Sequence, residues 1–219
     1  MDCRLITVPL GPLESNMYIV TGPAGAFIVD PSVSPKKAEE FCSIQGLSTG
    51  ESDVKGLLLT HGHHDHIKYI DEWMAAYPDA NVFFSSNDKE LLGNGFMNCS
   101  YMEGSETLYS FKFTNVAGMY GMNIIKEDGF EIKVFETPGH TMGSVCYLVS
   151  TGDEDMLFTG DTVFAGSVGR TDMPGGNSKE LMNSVKRLSK FPPELKIYPG
   201  HGPASSIGNE IRFNPFFEI

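Results

Sequence analysis

The stretch Thr60–Ile67, THGHHDHI, holds four of the six histidines in the chain and an aspartate among them. It follows VKGLLLT, an apolar run that is typical of a buried strand. Because side chains alternate along an extended chain, His61, His63 and Asp65 would share one side of the continuation, and His64 would point to the other. A helical continuation would pair His61 with Asp65 instead, but the β-type run before the stretch favours the extended form.

Three further segments with strand-like composition end in the same residue types. VFETPG leads to His140, MLFTG to Asp161 and KIYPG to His201. Binding sites tend to form at the ends of strands in packed sheets, so we expect these side chains to join THGHHDHI in one site. A fifth such segment, AFIVD, ends at Asp30.

The charge balance and the cysteines limit the classes of function. The chain has 219 residues, 16 basic and 28 acidic, with a net charge of −12. We therefore expect no nucleic-acid or membrane partner, because binding phosphate requires clustered lysine and arginine. No apolar run approaches about 18 residues, so no membrane-spanning helix is expected. The start, MDCRLITVPL, lacks the pattern of a signal peptide, and the four cysteines are scattered, which predicts reduced thiols and a cytoplasmic location.

The first half of the chain alternates between strand and helix signals. RLITVPL, MYIVTG and AFIVD predict strands in hairpins, and SPKKAEEFCSIQ predicts a helix that begins after a serine cap. VKGLLLT and NVFFSS predict two more strands. Between them, HIKYIDEWMAAY has the apolar spacing of a helix, which His66 would begin. NDKELLGN predicts a short helix, and residues 93–129 predict loop and irregular structure.

The second half also contains both strand and helix signals. FEIKVFETPG, SVCYLVS, DMLFTGD and LKIYPG predict strands, and SKELMNSVKRLSKF and SSIGNEIRF predict helices. Each half therefore combines hairpins with strand–helix units. Two such halves predict an α/β fold in which two sheets pack face to face with helices outside, a four-layer αββα sandwich.

The motifs, in this order, resemble those of the metallo-β-lactamase superfamily. The family pattern is HxHxDH, a distant histidine, an aspartate and a final histidine. Here it is matched by HGHHDH at 61–66, His140 in TPGHTMGS, Asp161 in FTGDTVF and His201 in YPGHGP. The resemblance extends from about Met17 to Pro203 and implies one αββα domain over residues 1–219.

The resemblance implies a site with two divalent metal ions. One ion would take His61, His63 and His140, the other Asp65, His66 and His201, and Asp161 would bridge them. Imidazole and carboxylate donors suit zinc first, and also iron or manganese. Asp65 and Asp161 would position a bridging hydroxide as the nucleophile, since two ions at about 3.5–4 Å from each other lower the pKa of water between them.

Other residues have supporting roles in this interpretation. Asp30 is expected to orient a ligand histidine, with a helix or turn cap as the alternative. Arg170 and Asp172, in GRTD, are expected to form an internal ion pair near the floor of the site. His64 is expected to face outward and bind no metal. Gly139 and Gly200, each just before a histidine, are expected to allow tight turns.

The segments TPGHTMGSVCYLV, GDTVFAGSVGRTD and IYPGHGP resemble the glyoxalase II-like hydrolases. True metallo-β-lactamases typically have a cysteine in place of Asp161, which disfavours that branch. Little chain follows His201, so the helical C-terminal domain with which glyoxalase II grips glutathione is not expected. GRTD also stands where that family has a lysine and a tyrosine. The resemblance therefore implies hydrolysis of a small thioester, with glutathione less favoured as the leaving thiol.

Two alternatives remain at this stage. A persulfide dioxygenase would hold one iron at the positions of His61, His140 and Asp161, and its family also has a GRTD segment, although the IYPGHGP ending favours the hydrolases. A phosphodiesterase of the same superfamily would need a small substrate, because the net charge of −12 disfavours nucleic acid.

Overall fold

The computed structural model describes residues 3–22, 25–46, 53–104, 106–127, 129–152 and 154–218. The strands in these residues are β1 (Arg4–Val8), β2 (Met17–Gly22), β3 (Gly25–Val29), β4 (Val54–Leu58), β5 (Asn81–Phe84), β6 (Thr114–Asn115), β7 (Met122–Glu127), β8 (Phe130–Glu136), β9 (Val145–Ser150), β10 (Asp155–Gly160), β11 (Val163–Phe164), β12 (Ser167–Val168), β13 (Lys196–Pro199) and β14 (Ser205–Ser206). The helices are α1 (Pro35–Ile44), α2 (His64–Ile67), α3 (Ile70–Ala76), α4 (Lys89–Leu92), α5 (Ser178–Leu188) and α6 (Ile207–Phe213), and short 3₁₀ turns lie at Pro12–Glu14, Ser86–Asp88, Ser100–Glu103 and Pro215–Phe217.

Two six-stranded sheets form the centre of the fold. The first has the order β1-β2-β3-β4-β5-β6, and the second has the order β14-β13-β10-β9-β8-β7. In the first sheet β3, β4 and β5 run parallel, and in the second β10 and β13 run parallel. The carboxyl ends of parallel neighbours lie side by side, which places the residues that follow them next to each other.

Three apolar clusters define the layers. The inner cluster packs the facing sides of both sheets together, with Phe27 and Leu58 from the first and Ile132 and Phe158 from the second. The outer face of the first sheet packs against α1 and α3, and the outer face of the second packs against α5 and α6. The predicted αββα sandwich is therefore confirmed, because each sheet buries one face against its partner and the other against helices.

The long helices begin as their sequences predict. Ser34 caps α1 by accepting a hydrogen bond from the Lys37 backbone N–H, and Pro35 occupies the first turn. Asn177 caps α5 by accepting from the backbone N–H groups of Lys179 and Glu180. Both helices bury their apolar side against a sheet.

The helix expected from His66 to Tyr77 is two helices. The first, α2, already begins at His64, and the chain turns at Tyr69 before α3 starts. The cause is a pair of competing bonds. Ser15 Oγ donates to the Asp65 carbonyl (2.7 Å), and the Tyr69 N–H donates to the Pro31 carbonyl (3.1 Å) instead of to a helical partner.

The segment 93–129 is mostly irregular, as predicted, but it also contains strands β6 and β7. The prediction missed β7, which lies at the edge of the second sheet and, among the described strands, pairs with β8 alone. Its sequence, MNIIKE, does not alternate, and its register shifts between Asn123 and Ile125. A helix long and apolar enough to cross a membrane does not occur among the described residues.

Candidate metal centre

His61, His63 and His140 form one group of possible metal ligands. One nitrogen of each lies within 4.8 Å of the others, and all three side chains are buried. His63 Nδ1 is 2.9 Å from His140 Nε2. As predicted, the side chains of His61 and His63 lie on the same side of the extended segment that follows β4. His140 comes from the loop after β8, which belongs to the other sheet.

Asp65, His66 and His201 form a second group, also within 4.8 Å. His201 Nε2 lies 3.2 Å from Asp65 Oδ2 and 3.3 Å from His66 Nε2. The extended conformation expected at Asp65 is wrong, because this residue lies in α2, although its side chain still lines the same cavity as His63. The first turn of α2 places Asp65 and His66 together, facing His201 from the end of β13.

Asp161 lies between the two groups. Its Oδ1 is 3.3 Å from His66 Nε2, and its Oδ2 is 3.4 Å from His140 Nε2 and 3.6 Å from His201 Nε2. All seven residues predicted as ligands are thus gathered at one end of the sandwich. The arrangement can hold two cations with one carboxylate between them.

Parallel pairing explains why Asp161 and His201 meet. Strand β10 pairs with β13 so that Gly160 lies opposite Pro199. Asp161 follows Gly160 directly and His201 comes two residues after Pro199, so both side chains reach the same site. Gly200 is required by contact distance, because a Cβ there would lie 2.2 Å from Asp161 Oδ1. Gly139 has φ +143, and its Cβ would lie 2.3 Å from the backbone of Leu181. Both glycines therefore permit close approach beside the site, although only Gly139 adopts a backbone conformation that favours glycine.

Hydrogen bonds outside the site set the orientation of the imidazole rings. The Nδ1–H of His66 donates to Asp30 (3.0 Å), that of His140 to the Arg170 carbonyl (2.7 Å), and that of His201 to the Leu13 carbonyl (3.1 Å). Each ring therefore directs its Nε2 into the site, and this is the nitrogen that binds a metal once it carries no proton.

Asp30 supports ligands of both groups. Its carboxylate accepts from the Thr60 N–H (2.7 Å), the Thr60 hydroxyl (2.6 Å) and His66 Nδ1–H. Since the Thr60 hydroxyl donates to Asp30, it accepts from His61 Nδ1–H (3.0 Å). The neutral His61 ring then has its free lone pair on Nε2. A third possible ligand group, Asp30 with His61 and His66, is therefore better explained as a positioning network than as an ion site.

We expect Asp30→Asn to lower the affinity for metal by about 10- to 100-fold, the usual cost of losing a partner that orients a ligand. Asparagine matches the shape of aspartate and tolerates the left-handed backbone at this position (φ +51). Its amide N–H groups, however, would face the donors of Thr60 or His66. Titration of the apo-protein with metal, read by competition with a chelating dye, measures the effect. Unchanged affinity would show that Asp30 serves only as a cap.

The electrostatics of the seven residues fit cations. Burial, with the imidazoles of His66 and His63 nearby, holds the pKa of His61 well below its ordinary value, and burial lowers the pKa of His63 to about 3. Both rings are therefore neutral ligands. Burial also lowers the pKa of His66, but the carboxylates of Asp65 and Asp161 outweigh it and raise that pKa well above the usual value.

The buried polar atoms lead to the same conclusion. Asp65 and Asp161 bring two carboxylates into a largely buried space, where negative charge needs a compensating cation. His61 Nε2 is buried without a hydrogen-bond partner among the described residues. A buried, unpartnered nitrogen in a site that also holds two carboxylates fits a divalent metal ion, so the donor set is compatible with the two ions that the sequence predicts.

His64 does not face the two ligand groups, as predicted, but it is not exposed to solvent. Its Nδ1 bonds to the Tyr109 hydroxyl and its Nε2 lies 3.3 Å from Glu103 Oε2. Its side chain is 7% exposed. His64 thus connects α2 to the segment 98–109, a contact that side-chain alternation alone could not indicate.

Asp88 is a buried carboxylate that the sequence interpretation overlooked. It accepts from the Gly62 N–H (2.9 Å), the Thr141 hydroxyl (2.7 Å) and the Gly143 N–H (2.6 Å). It therefore ties the segment that carries His61 to the loop that carries His140. Burial raises its pKa, and these hydrogen bonds offset only part of the rise. Its position just after β5 follows the same strand-end rule that identified the ligands.

We expect Asp88→Asn to lower the free energy of unfolding by about 2 kcal/mol, because at least one amide N–H would face a buried donor. Urea unfolding of the metal-free protein measures the change. The exposed Asp79→Asn serves as a matched control and should lie within about 0.5 kcal/mol of the parent. Equal stabilities for the two variants would contradict the proposed connecting role.

Arg170 and Asp172 form the predicted ion pair, with two hydrogen bonds of 2.7 and 2.8 Å. The structure places this pair at the exposed rim instead of at the floor, with side chains 58% and 69% exposed. Arg170 contacts a candidate ligand through its backbone carbonyl, which accepts the hydrogen bond from His140 Nδ1–H. Backbone contacts of this kind, including that of Leu13 with His201, leave no signal in a side-chain pattern.

A cavity of about 380 Å³ opens above the ligand groups. Its floor includes His63, His140, Asp65, Asp161 and His201, so five of the seven candidate ligands line a cavity that opens to solvent. The walls come from five parts of the chain: Leu13, His64, Cys99 with Met102 and Glu103, the hairpin of β11 and β12, and Arg170 with Met173. A cavity of this size suits a small molecule.

Comparison with known proteins places these features in a family. The metallo-β-lactamase superfamily matches residues 10–201, so the chain belongs to this superfamily. Together with its His/Asp cluster, this defines the class of protein as a metal-dependent hydrolase. Among its relatives is YqgX of Bacillus subtilis (strain 168), described as a probable metallo-hydrolase, which is 32% identical over 95% of each chain.

Two solved structures are similar over nearly the whole chain. The B3 metallo-β-lactamase BLEG-1 is 28% identical, with a TM-score of 0.85, over 99% of this chain and 100% of its own. TTHA1623, solved in a di-iron-bound form, is 33% identical, with a TM-score of 0.78, over 96% of this chain and 99% of its own. The metal of the second protein is a property of that protein and bears on this chain only as a candidate.

Proposed function

We propose that this chain is a dinuclear metallohydrolase that cleaves a small thioester, in the manner of the glyoxalase II-like hydrolases. The observation that carries the proposal is the arrangement of seven donors as two groups of three with Asp161 between them. The resemblance of TPGHTMGSVCYLV, GDTVFAGSVGRTD and IYPGHGP to glyoxalase II-like sequences supports the thioester as substrate.

In this proposal His61, His63 and His140 would hold one ion, and Asp65, His66 and His201 would hold the other. Asp161, which lies between the two groups, would contribute to holding them. Two such ions supply an activated water and polarise a carbonyl oxygen. Zinc is the proposed metal, because imidazole and carboxylate donors without thiolate form its usual hydrolytic sites. Iron and manganese accept the same donors, and the di-iron form of TTHA1623 makes iron the first alternative.

The chain's own residues have three tasks in the reaction. Asp65 and Asp161 orient the nucleophilic water between the two groups. Asp30 and Thr60 hold His61 and His66 in the tautomer that binds metal. The cavity above them holds the substrate with its scissile carbonyl near the ligand groups. Holding the reacting groups close together lowers the barrier, because less freedom of motion is lost in the transition state.

A covalent cysteine mechanism is disfavoured. Cys99 lines the cavity, but burial, with the carboxylate of Asp65 nearby, raises the pKa of its thiol to about 11. Since the thiolate is the nucleophile, a thiol of this pKa is unreactive near neutral pH. Cys146 is fully buried and its pKa is also raised to about 11. Direct attack by water is therefore the proposed route.

The test is metal analysis combined with a panel of acyl-glutathione, acyl-coenzyme A and phosphodiester substrates. We expect about two equivalents of metal per chain, hydrolysis of at least one thioester, and loss of that activity on chelation with recovery on addition of Zn²⁺. Protein with less than half an equivalent of metal and no activity after loading would overturn the proposal. Oxygen uptake with a glutathione persulfide would favour the dioxygenase instead.

β-Lactam hydrolysis is a second candidate, favoured by the similarity to BLEG-1 over the whole length of both chains. The same panel therefore includes a chromogenic cephalosporin. Faster turnover of the cephalosporin than of every thioester would replace the thioester proposal. Asp161 in place of the cysteine typical of many metallo-β-lactamases is the residue that disfavours this outcome.

A further inference from the structure

Much of the lining of the cavity above the candidate metal centre is apolar. The apolar side chains come from separate segments of the chain: Leu13, Met102, Phe164, Val168 and Met173. Leu13 is 69% exposed and Met102 is 53% exposed, so both are available to a ligand. Grouped apolar side chains that face a cavity mark a binding surface more often than scattered ones do. We call these five residues the apolar wall.

We propose that the apolar wall binds the apolar acyl chain of the substrate, so that the enzyme prefers thioesters of medium-chain acyl groups on a neutral thiol. This inference rests on the proposed thioester hydrolysis and narrows its substrate class.

The charges around the cavity argue against an anionic substrate arm. Apart from histidines, Arg170 is the only cationic residue among the described residues that line it. Its guanidinium is already bound to both carboxylate oxygens of Asp172. Glu103, also in the lining, accepts from Lys68 and lies 3.3 Å from His64. The carboxylates of glutathione and the phosphates of coenzyme A would therefore meet no unpaired lysine or arginine in the cavity.

The backbone supports the same interpretation. Among the described non-glycine residues with positive φ, Leu13 (φ 54) and Cys99 (φ 66) both line the cavity. This conformation is uncommon for side chains of their size and has an energetic cost. At Leu13 it serves two purposes, since the carbonyl accepts from His201 Nδ1–H while the side chain remains at the mouth of the cavity. The position of the apolar side chain is thus coupled to the orientation of a ligand.

The experiment compares thioesters that differ in one part only. With N-acetylcysteamine as a constant neutral thiol, kcat/KM is measured for acetyl, butanoyl, hexanoyl and octanoyl groups. With hexanoyl as a constant acyl group, the thiol is then varied to glutathione and coenzyme A. We expect kcat/KM to rise at least about tenfold from acetyl to hexanoyl, since each buried methylene favours binding, and to be no higher with either anionic thiol.

Met102→Ser tests the wall itself, and Met122→Ser is its matched control. Both methionines are 53% exposed, but Met122 lies on the edge strand β7. Met102→Ser should reduce the ratio of hexanoyl to acetyl kcat/KM at least about threefold, with metal content unchanged, whereas Met122→Ser should leave that ratio as it is. An unchanged ratio in Met102→Ser would overturn the assignment of the wall.

The two proposals fail in different ways. If no thioester of any chain length is cleaved by the metal-loaded protein, thioester hydrolysis itself is rejected. If thioesters are cleaved with a kcat/KM that is flat or falls with chain length, the hydrolase remains and the apolar acyl chain is rejected. If hexanoyl-glutathione is a better substrate than the hexanoyl thioester of N-acetylcysteamine, the hydrolase remains and the neutral thiol is rejected.

Discussion

Replacing Asp161 by asparagine is expected to lower kcat/KM by about 10³-fold, the upper range for removing one polar group that is positioned to stabilise a transition state. Asp161 is the only one of the seven residues whose carboxylate lies within 3.6 Å of histidines from both groups. Asparagine keeps the shape but removes the negative charge, and one side of its amide presents N–H donors that would face cations. We also expect the loss of at least one of the two bound ions.

Asp155→Asn is the matched control for this variant. Asp155 lies at the other end of the same strand, β10, and is exposed. It should retain the activity and the metal content of the parent. Metal analysis by mass spectrometry and steady-state kinetics on the best thioester measure both properties. Asp161→Asn with two ions and more than a tenth of the parent activity would contradict the bridging role.

Two adjacent histidines give the second large effect. His63→Ala should lose one equivalent of metal and more than about 100-fold in kcat/KM, because a ligand is worth more than the outer partners that cost 10- to 100-fold. His64→Ala should keep both ions, since His64 contacts Tyr109 and Glu103 instead of the ligand groups. Its expected cost is a loss of about 1–2 kcal/mol in the free energy of unfolding.

The comparison is informative because the two residues have the same chemistry and are neighbours in the chain. Dialysis against a metal-free buffer followed by metal analysis separates the outcomes, and urea unfolding measures the stability of each variant. Equal losses of metal from His63→Ala and His64→Ala would reject the orientation of this segment. Loss from His64→Ala alone would exchange the roles of the two histidines.

The fold and the ligand set could be predicted because they depend on local and periodic features. Apolar runs that end in histidine or aspartate mark strand ends, and parallel pairing brings those ends together, as with Asp161 and His201. The sequence also identified Asp30, whose role follows from the same rule. In each case the apolar run and the polar residue that ends it are adjacent in the sequence. Each strand end can therefore be recognised from the sequence alone.

Other features depend on contacts between distant segments, which no local pattern encodes. The break between α2 and α3 exists because Ser15, fifty residues earlier, occupies the Asp65 carbonyl. The supports of His140 and His201 are carbonyl groups, and any residue type can supply a carbonyl. The Arg170–Asp172 pair is exposed because the loop that carries it lies at the surface of the folded protein, and the local sequence does not determine that position. Strand β7 was missed because its pairing with β8, and not its composition, makes it a strand.

Each proposed ion would have ligands from both sheets. His61 and His63 come from the first sheet, and their partner His140 comes from the second. In the other group Asp65 and His66 face His201, which follows the late strand β13. Neither half of the sandwich has a complete set. During synthesis the first group is present once His140 has emerged, but the second group needs His201, so the full set of seven forms only after β13 has joined β10. Binding of the second ion would therefore be a late step that reports the docking of both halves.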